Sequence, residues 1–194
     1  MDTLDAILSR RSVRKMTAEM PEKELIEKVI EAGRVAPSGG NSQTTHFIVI
    51  TKPEVLAKLR ELVQSEFAKM EAGPDTYASM RNSIRASKKG NYVYDYGAPL
   101  LIVTANKKGY GNALADSACA LENMMIAAHA LGLGSCWINQ LHWLTDQEAV
   151  KSYMAGLGLK EDETITGGLI LGYAAEGVPM KRLEKKNGNP VTWI

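Results

Sequence analysis

The chain has 194 residues, of which 45% are hydrophobic and 23% are charged, and this composition is typical of a globular domain with its own apolar core. Disordered and fibrous classes are therefore excluded. Its 23 lysines and arginines nearly balance 22 acidic residues, so the net charge of +1 argues against a nucleic-acid partner. We predict a single domain over residues 1–194.

The spacing of the cysteines and the lengths of the apolar runs indicate the cellular compartment of the protein. Cys119 and Cys136 have neither the spacing of a zinc site nor that of an extracellular disulfide framework. No run approaches the roughly twenty apolar residues of a membrane span, and residues 1–5 do not resemble a signal peptide. We expect a soluble cytoplasmic protein without a bound metal or a membrane contact.

Positive charge collects near both ends of the chain, against this balanced total. The residues concerned are Arg10, Arg11, Arg14 and Lys15 near the start and Lys181, Arg182, Lys185 and Lys186 near the end. Any function of these cations must be local, because the chain as a whole carries almost no net charge.

The first half of the chain is predicted to hold three helices, a loop and a strand. Leu4, Ile7 and Leu8 follow helical spacing, and Pro21 suits the first position of a helix. The predicted elements are a helix over 2–10, a helix from Pro21 to near Pro37, a loop over 38–42, a buried strand over 47–50 and a helix over 53–70.

The second half continues the alternation of helices and strands. Its predicted elements are a variable, partly helical polar excursion over 71–95 that is a candidate lid, a strand over 98–104, a helix over 112–131, a strand over 136–138, a helix over about 145–155 and a strand over 164–173. Helix 112–131 is so apolar that we expect it to be buried on more than one side. The alternation indicates an α/β or an α+β fold, since periodicity does not determine strand direction.

Several common catalytic signals are missing. The chain has no dinucleotide-binding glycine fingerprint, no P-loop and no nucleophile elbow. His46, His129 and His142 are scattered without metal-ligand spacing, so we expect structural or surface roles for them. Cys136 is expected to be a small buried apolar residue, because no cation stands near it in the sequence.

Three short segments are candidate ligand contacts. Residues 10–14, Arg-Arg-Ser-Val-Arg, place three guanidinium groups and a hydroxyl within reach of a phosphate, although the same cations also suit a solvated helix end. The small and amide residues of 37–43 would let a flat ring approach the backbone, or they form an ordinary polar turn. The glycines of 132–138 would expose backbone N–H groups to a ring, or they cap a helix.

The order of these segments resembles the flavin-dependent nitroreductase family over nearly the whole chain. The matching segments are Arg10-Arg11-Ser12-Val13-Arg14, Ala36 to Gln43, Gly97 to Val103, Leu131 to Ile138, and Leu171-Gly172-Tyr173 before the basic tail. The resemblance implies an α+β fold, a nitroreductase-like α/β/α sandwich with a mostly antiparallel central sheet flanked by helices. It also implies an intertwined homodimer with FMN at the subunit interface and helix 112–131 in the dimer core.

The resemblance further implies which residues contact FMN. The early segment is expected to bind the phosphate and the ribityl chain, the small-residue loop to reach the flavin from the partner subunit, and the segment before the third strand to lie beside the ring. A basic residue after the last strand is expected to return to the phosphate. The cofactor-binding residues implied are Arg10, Arg11, Ser12, Arg14, Pro37, Ser38, Gly39, Asn41, Gln43, Ser135, Cys136, Trp137, Ile138, and Lys181 or Arg182.

The activity implied is that of an FMN-dependent oxidoreductase. NADH or NADPH would reduce the flavin and leave, and an electron-poor small molecule such as a nitroaromatic or a quinone would then take the hydride in a ping-pong cycle. No catalytic side chain is expected, because the flavin performs the hydride chemistry. The alternatives are another flavin chemistry on the same fold, namely reductive dehalogenation, flavin reduction or substrate dehydrogenation, and a non-catalytic protein that binds a flavin or another phosphorylated ligand.

Overall fold

The structure is a computed structural model that describes residues 1–182 and 188–194, in which helices and strands alternate. The elements are α1 (Thr3–Ser9), α2 (Lys23–Arg34), β1 (His46–Ile50), α3 (Pro53–Ala68), α4 (Ala78–Lys88), β2 (Leu100–Lys107), α5 (Ala113–Ala130), β3 (Gly134–Ile138), α6 (Gln140–Trp143), α7 (Glu148–Gly156) and β4 (Glu163–Gly172). A short 3₁₀ turn covers Gly39–Asn41. Each helix and strand predicted from periodicity is present, and α6 is an addition that no pattern indicated.

The sheet has the strand order β1-β2-β4-β3, and neighbouring strands run antiparallel. In the centre, β2 pairs with β4 along its whole length, from Leu100 opposite Leu171 to Lys107 opposite Glu163. The predicted α+β class with an antiparallel central sheet is thereby confirmed.

Apolar cores on both faces of the sheet make the domain a three-layer sandwich. Alternate residues of β2 point to opposite faces, as the period of a strand requires. Leu100 and Ile102 pack against α2 and α5, whereas Leu101 and Val103 pack against the layer that contains α3, α4 and α7. All four side chains are fully buried. A strand buried on both faces explains the unbroken apolar run that predicted it.

Helix α2 begins later than predicted. Pro21 was expected at its first position, but Glu22 keeps a non-helical backbone with φ −55° and ψ 139°, and the helix starts at Lys23. The carbonyl of Glu22 accepts the N–H groups of Leu25 and Ile26 and so caps the first turn. Pro21 lies just outside the helix as a buried residue.

The excursion over 71–95 packs against the domain through α4. Ser83, Ile84 and Ser87 of this helix are buried, with Ile84 in the same core as α3. The ring of Tyr92 meets that of Phe67 edge to face, with 6.2 Å between the ring centroids. The polar composition of this segment therefore reflects its outer side, while its inner side belongs to one layer of the sandwich.

Apolar side chains remain exposed on α1 and α5. Leu4 and Leu8 of α1 are 67% and 72% exposed, and Ala6 is the buried residue of that helix. On α5, Leu114 is 57% exposed and Cys119 is also exposed, so the expected burial of this helix on more than one side is incomplete within one chain.

Within the described ranges, no helix is both long and apolar enough to cross a membrane, and this includes α5.

Candidate functional site

The basic segments from the two ends of the chain lie side by side. Arg10 and Lys181 form an antiparallel β-bridge, and the N–H of Arg182 donates to the carbonyl of Ser9 at 2.6 Å. A second bridge joins Met16 to Ala174. The chain after β4 therefore runs back along residues 10–16 and brings Lys181 to Arg10. Lys185 and Lys186 lie outside the described residues.

The guanidinium of Arg10 is held by helix α5. Its Nε and Nη2 lie 3.2 and 3.1 Å from Oε1 of Glu122, and its side chain is 18% exposed. One ion pair leaves further N–H donors of the fork available to a ligand. Arg10 and Lys181 thus form a local positive cluster, in which the position of Arg10 is fixed by Glu122.

His129 of α5 lies beside this cluster. Its Nε2 is 2.9 Å from the hydroxyl of Ser9, and the residue is 4% exposed. Burial lowers the pKa of His129 below its ordinary value near 6.5, and the nearby charges of Lys181 and Arg10 lower the pKa further. His129 is therefore neutral in the folded protein at neutral pH.

We expect the cofactor-free protein to lose stability as the pH falls from 7.5 to 5.5. The unfolded chain protonates His129 near pH 6.5, whereas the folded chain resists protonation until a lower pH, so acid favours unfolding across this window. Urea unfolding at several pH values measures the effect. His129→Gln, which can still bond to Ser9, is expected to show a shallower fall than the parent, and equal slopes for the two proteins would contradict the assignment.

Residues 10–14 present alternate side chains to two sides. The N–H of Val13 donates to the carbonyl of Ser135 at 2.9 Å, so the segment runs along the free edge of β3. Against the raising effect of burial, Ser12 and Arg14 both lower the pKa of the Cys136 thiol and so lie near it, while the thiol itself donates to the carbonyl of Trp137. Val13 is 2% exposed, whereas Arg11, two positions earlier, is exposed. The structure thus groups Ser12 and Arg14, but not Arg11, around the start of β3.

Cys136 is a buried thiol with a polar neighbourhood. Burial raises the pKa of Cys136, and this outweighs the opposite effects of the Arg14 charge and of hydrogen bonds to Ser12 and Arg14. The residue is 2% exposed and belongs to the core on the α3 side of the sheet. The expectation of a small buried residue agrees with this position, although the sequence did not reveal the arginine beside it.

Gly134 provides the space in which Val13 packs. A Cβ at this position would lie 2.9 Å from Cγ1 and 3.0 Å from Cβ of Val13. A branched valine close to the backbone has little freedom to move, so residues 12–14 would have to shift.

We expect Gly134→Ala to lower the free energy of unfolding by about 2 kcal/mol, the usual size of an overpacking effect. Gly156→Ala is the matched control, because a Cβ there meets no atom within 4 Å. Urea denaturation of both variants measures the difference, and a Gly134→Ala protein as stable as the control would show that Val13 moves freely.

A cavity of about 430 Å³ opens next to Arg14, between α4 and the end of β3. Arg14 alone is charged among its described lining residues. Its guanidinium carbon lies 6.0 Å from the ring centroid of Tyr96. The other lining side chains are mostly aromatic or amide, namely Tyr77, Tyr92, Tyr96, Trp137 and Trp143, and Asn82, Asn139 and Gln140. This size and this lining suit a flat organic ligand.

A hydrogen-bonded bridge ties α4 to α6 across this cavity. The hydroxyl of Tyr92 accepts from Nε2 of Gln140 at 2.9 Å and lies 2.7 Å from the hydroxyl of Ser83. Trp137 and Ile138, both predicted ring contacts, line the same cavity, whereas Ser135 and Cys136 lie at the adjoining start of β3.

The small-residue loop occupies a different place in the chain. Pro37, Ser38 and Gln43 line a second cavity of about 140 Å³ together with Asp116 and Ala120 of α5. The two cavities share no lining residue. One chain therefore does not bring the loop, which also contains Gly39 and Asn41, to the cavity at Arg14.

The histidines all have structural partners. Nδ1 of His46 lies 2.8 Å from Glu163, and Nδ1 of His142 lies 2.6 Å from the carbonyl of Ile165. Together with the bond between His129 and Ser9, these contacts agree with the expected structural roles.

Sequence patterns did not identify the residues that contact the predicted segments from distant parts of the chain. Glu122, Asp116 and Tyr110 contact the predicted segments, yet each stands alone in its part of the chain and belongs to no motif. No local signal identifies such partners, since only the fold brings them close. Tyr77 and Tyr92, which flank α4, were likewise hidden in a segment that looked like a polar surface.

Comparison with known proteins places the chain in a family. The family model described as "Nitroreductase family" matches residues 7–173. The chain belongs to the nitroreductase family. The match covers the Arg10 segment, the small-residue loop and the whole sheet, and it ends before Lys181.

Solved nitroreductase structures share this fold closely. A nitroreductase with bound FMN from Bacteroides fragilis is 34% identical, with a TM-score of 0.88 over 100% of this chain and 99% of that one. A second nitroreductase with bound FMN, from Desulfitobacterium hafniense, is 27% identical, with a TM-score of 0.82 over the same shares of the two chains.

A curated relative agrees with the structural comparison. A "Putative NADH dehydrogenase/NAD(P)H nitroreductase" of Archaeoglobus fulgidus is 29% identical over 176 residues, which cover 89% of this chain and 85% of that protein. The nitroreductase resemblance and the class of FMN-dependent oxidoreductase, both predicted from the sequence, are confirmed.

Proposed function

We propose that this chain binds FMN along residues 10–14 and transfers hydride from NADH or NADPH to an electron-poor small molecule, such as a nitroaromatic or a quinone, in a ping-pong cycle. The observation that carries the proposal is that one segment, residues 10–14, meets Lys181 at Arg10 and lines a cavity suited to a flat ring at Arg14. The FMN-bound relatives and the NAD(P)H named for a curated relative support it.

The phosphate of FMN is assigned to the cluster of Arg10 and Lys181. An arginine fork binds phosphate through charge-assisted hydrogen bonds, and a lysine adds a second point charge. Glu122 fixes the fork before the ligand arrives, which lowers the entropy lost on binding. Arg182 contributes through its backbone, since its N–H holds residues 181–182 against Ser9. Of the two tail cations, we therefore assign Lys181 to the phosphate.

The flavin ring is assigned to the free edge of β3 and the adjoining cavity. In an antiparallel pair, the N–H and C=O of alternate residues point to the same edge. The carbonyl of Ser135 points to the free edge, where it accepts from Val13, so the N–H of Trp137 points there as well. This N–H and the guanidinium of Arg14 would stabilise negative charge on a reduced ring.

Bound FMN would supply the hydride chemistry, and the residues of the chain supply position and charge. We assign the donor and then the acceptor to the one space that the aromatic side chains of the cavity would leave over the ring. One shared position for donor and acceptor is the physical basis of the ping-pong order.

We also propose that the active form is a homodimer with FMN at the subunit interface. The exposed Leu4 and Leu8 of α1 and Leu114 of α5 leave apolar surface that a second copy would cover. A dimer would also bring the small-residue loop of one chain to the flavin of the other, because the loop and the Arg14 cavity are separate within a single chain.

Reconstitution with FMN tests the proposed function. The purified protein is stripped of ligand, loaded with FMN and examined by absorbance and by light scattering after gel filtration. We expect a stoichiometric flavin spectrum, a dimer mass, loss of the flavin absorbance on anaerobic addition of NADPH or NADH, and its return on addition of a quinone. Parallel lines in double-reciprocal plots indicate the ping-pong order. Flavin binding without reduction would favour a non-catalytic binder, and no flavin binding would overturn the proposal.

A further inference from the structure

The small-residue loop adopts a backbone that needs external support. Gly40, Asn41 and Gln43 have φ values of 58°, 54° and 51°. The left-handed region costs a non-glycine residue about 1 kcal/mol, so Asn41 and Gln43 would leave it without compensating contacts. Within the loop, the N–H of Gln43 donates to Oγ of Ser38 at 3.1 Å, and contacts outside the loop add to the support of this shape.

Those contacts converge on the carboxylate of Asp116. Its Oδ1 accepts the N–H of Gly39 at 3.0 Å, and its Oδ2 lies 2.9 Å from the hydroxyl of Tyr110 and 3.3 Å from that of Ser42. The Tyr110 hydroxyl also lies 3.1 Å from the carbonyl of Gly39. Asp116 stands in the first turn of α5 and is 6% exposed, so its charge is balanced by these donors rather than by water.

The loop sits directly on the start of α5. A Cβ on Gly39 would lie 2.1 Å from Nδ2 of Asn112 and 2.7 Å from the hydroxyl of Tyr110. The backbone of Gly39 is thus enclosed on the side of Tyr110 and bonded to Asp116 through its N–H. A change at Asp116 is transmitted to the loop because no space separates them.

We propose that Asp116 is the positioning residue that holds residues 38–43 in the shape required for contact with FMN. This inference rests on the proposed function, since the loop is assigned to the flavin of the partner subunit. Asp116 is assigned to act through its hydrogen bonds to the backbone of Gly39 and to the side chains of Ser42 and Tyr110. The expected consequence of its loss is weaker FMN binding by a protein that is still folded.

Asp116→Ala tests the proposal when FMN is titrated into the stripped full-length protein and its fluorescence is followed. We expect the dissociation constant of FMN to rise about tenfold and the visible spectrum of the bound flavin to shift, because two hydrogen bonds to the loop and one to Tyr110 are lost. Asp116→Asn is expected to restore binding to within about threefold of the parent. Its Oδ1 can accept from Gly39, and its Nδ2 can donate to Ser42 or Tyr110.

Glu66→Ala is the matched control for burial and stability. Glu66 is also 6% exposed, but it lies on α3, on the opposite face of the sheet, where it is paired with Lys69 at 2.6 Å. We expect this variant to lower the melting temperature while its FMN affinity and flavin spectrum match the parent.

Tyr110→Phe keeps the proposal testable if Asp116→Ala does not fold. It removes the hydroxyl that bonds to Asp116 and to the carbonyl of Gly39, at a position that is only partly exposed. We expect this change to raise the dissociation constant of FMN several-fold. If the parent binds FMN, and Asp116→Ala and Tyr110→Phe bind it equally well with the parental spectrum, the positioning role is overturned and the proposed function stands. A parent that does not bind FMN overturns both.

Discussion

Arg10→Ala is expected to raise the dissociation constant of FMN by about 50-fold. The side chain of Arg10 is largely buried, fixed by Glu122 at 3.1 Å and bridged through its backbone to Lys181. A charge-assisted hydrogen bond to a phosphate contributes about 2 to 3 kcal/mol in such a setting, and each 1.4 kcal/mol changes affinity tenfold. Titration of FMN into stripped protein measures the loss.

Two further variants separate the geometry of Arg10 from its charge. Arg10→Lys keeps the charge without the planar fork, so we expect an affinity between those of the parent and Arg10→Ala. Arg85→Ala removes one exposed cation from α4 outside the Arg14 cavity and is expected to leave FMN binding unchanged. If Arg10→Ala retained FMN as tightly as Arg85→Ala does, the phosphate would have to bind elsewhere.

Arg60→Met is expected to lower the free energy of unfolding by about 3 kcal/mol. Nε of Arg60 lies 2.9 and 2.8 Å from the two oxygens of Asp95, and its Nη2 donates to the carbonyl of Ala98 at 3.2 Å. The side chain of Asp95 is 1% exposed. Removal of the arginine leaves a buried carboxylate without its cation, and such a loss costs about 3 to 5 kcal/mol. We take the lower value because the arginine side chain is 29% exposed.

A second substitution gives this prediction its sharpest test. Asp95→Asn is expected to destabilise the parent, since it weakens the ion pair, but to stabilise Arg60→Met, since it removes the unpaired charge. Urea denaturation of the parent, both single variants and the double variant gives the four free energies. The ion-pair interpretation fails if Asp95→Asn has the same sign of effect in both backgrounds.

The helices and strands were predictable where apolar periodicity is strong, but the residues at which they begin and end were not. The central strand β2 and helix α5 are almost continuously apolar, so their existence followed from the sequence alone. The start of α2 did not, because the backbone at Glu22 decides it and a proline does not fix the dihedral angles of the residue after it. Periodicity also does not state which surface a helix packs against. The helical spacing of Leu4 and Leu8 was therefore recognised from the sequence, but their exposure was not.

The site was predictable in its segments but not in its supports. The resemblance to a family supplied residues 10–14 and the tail, and the structure brings Arg10 and Lys181 together. Glu122 and Asp116 remained hidden, because a single acidic residue in a helix has no distinguishing pattern until the fold gives it a partner. Cys136 shows the same limit, since Arg14 reaches it across the edge of β3.

The bridge between Arg10 and Lys181 also has a consequence for biogenesis. Arg10 precedes the four strands of the sheet, and Lys181 follows them. Contacts so distant along the chain close late, because the entropy of closing a loop grows with its length. The two cations therefore meet only after the sheet that separates them in the chain has formed, and FMN capture at this cluster becomes a late step of folding.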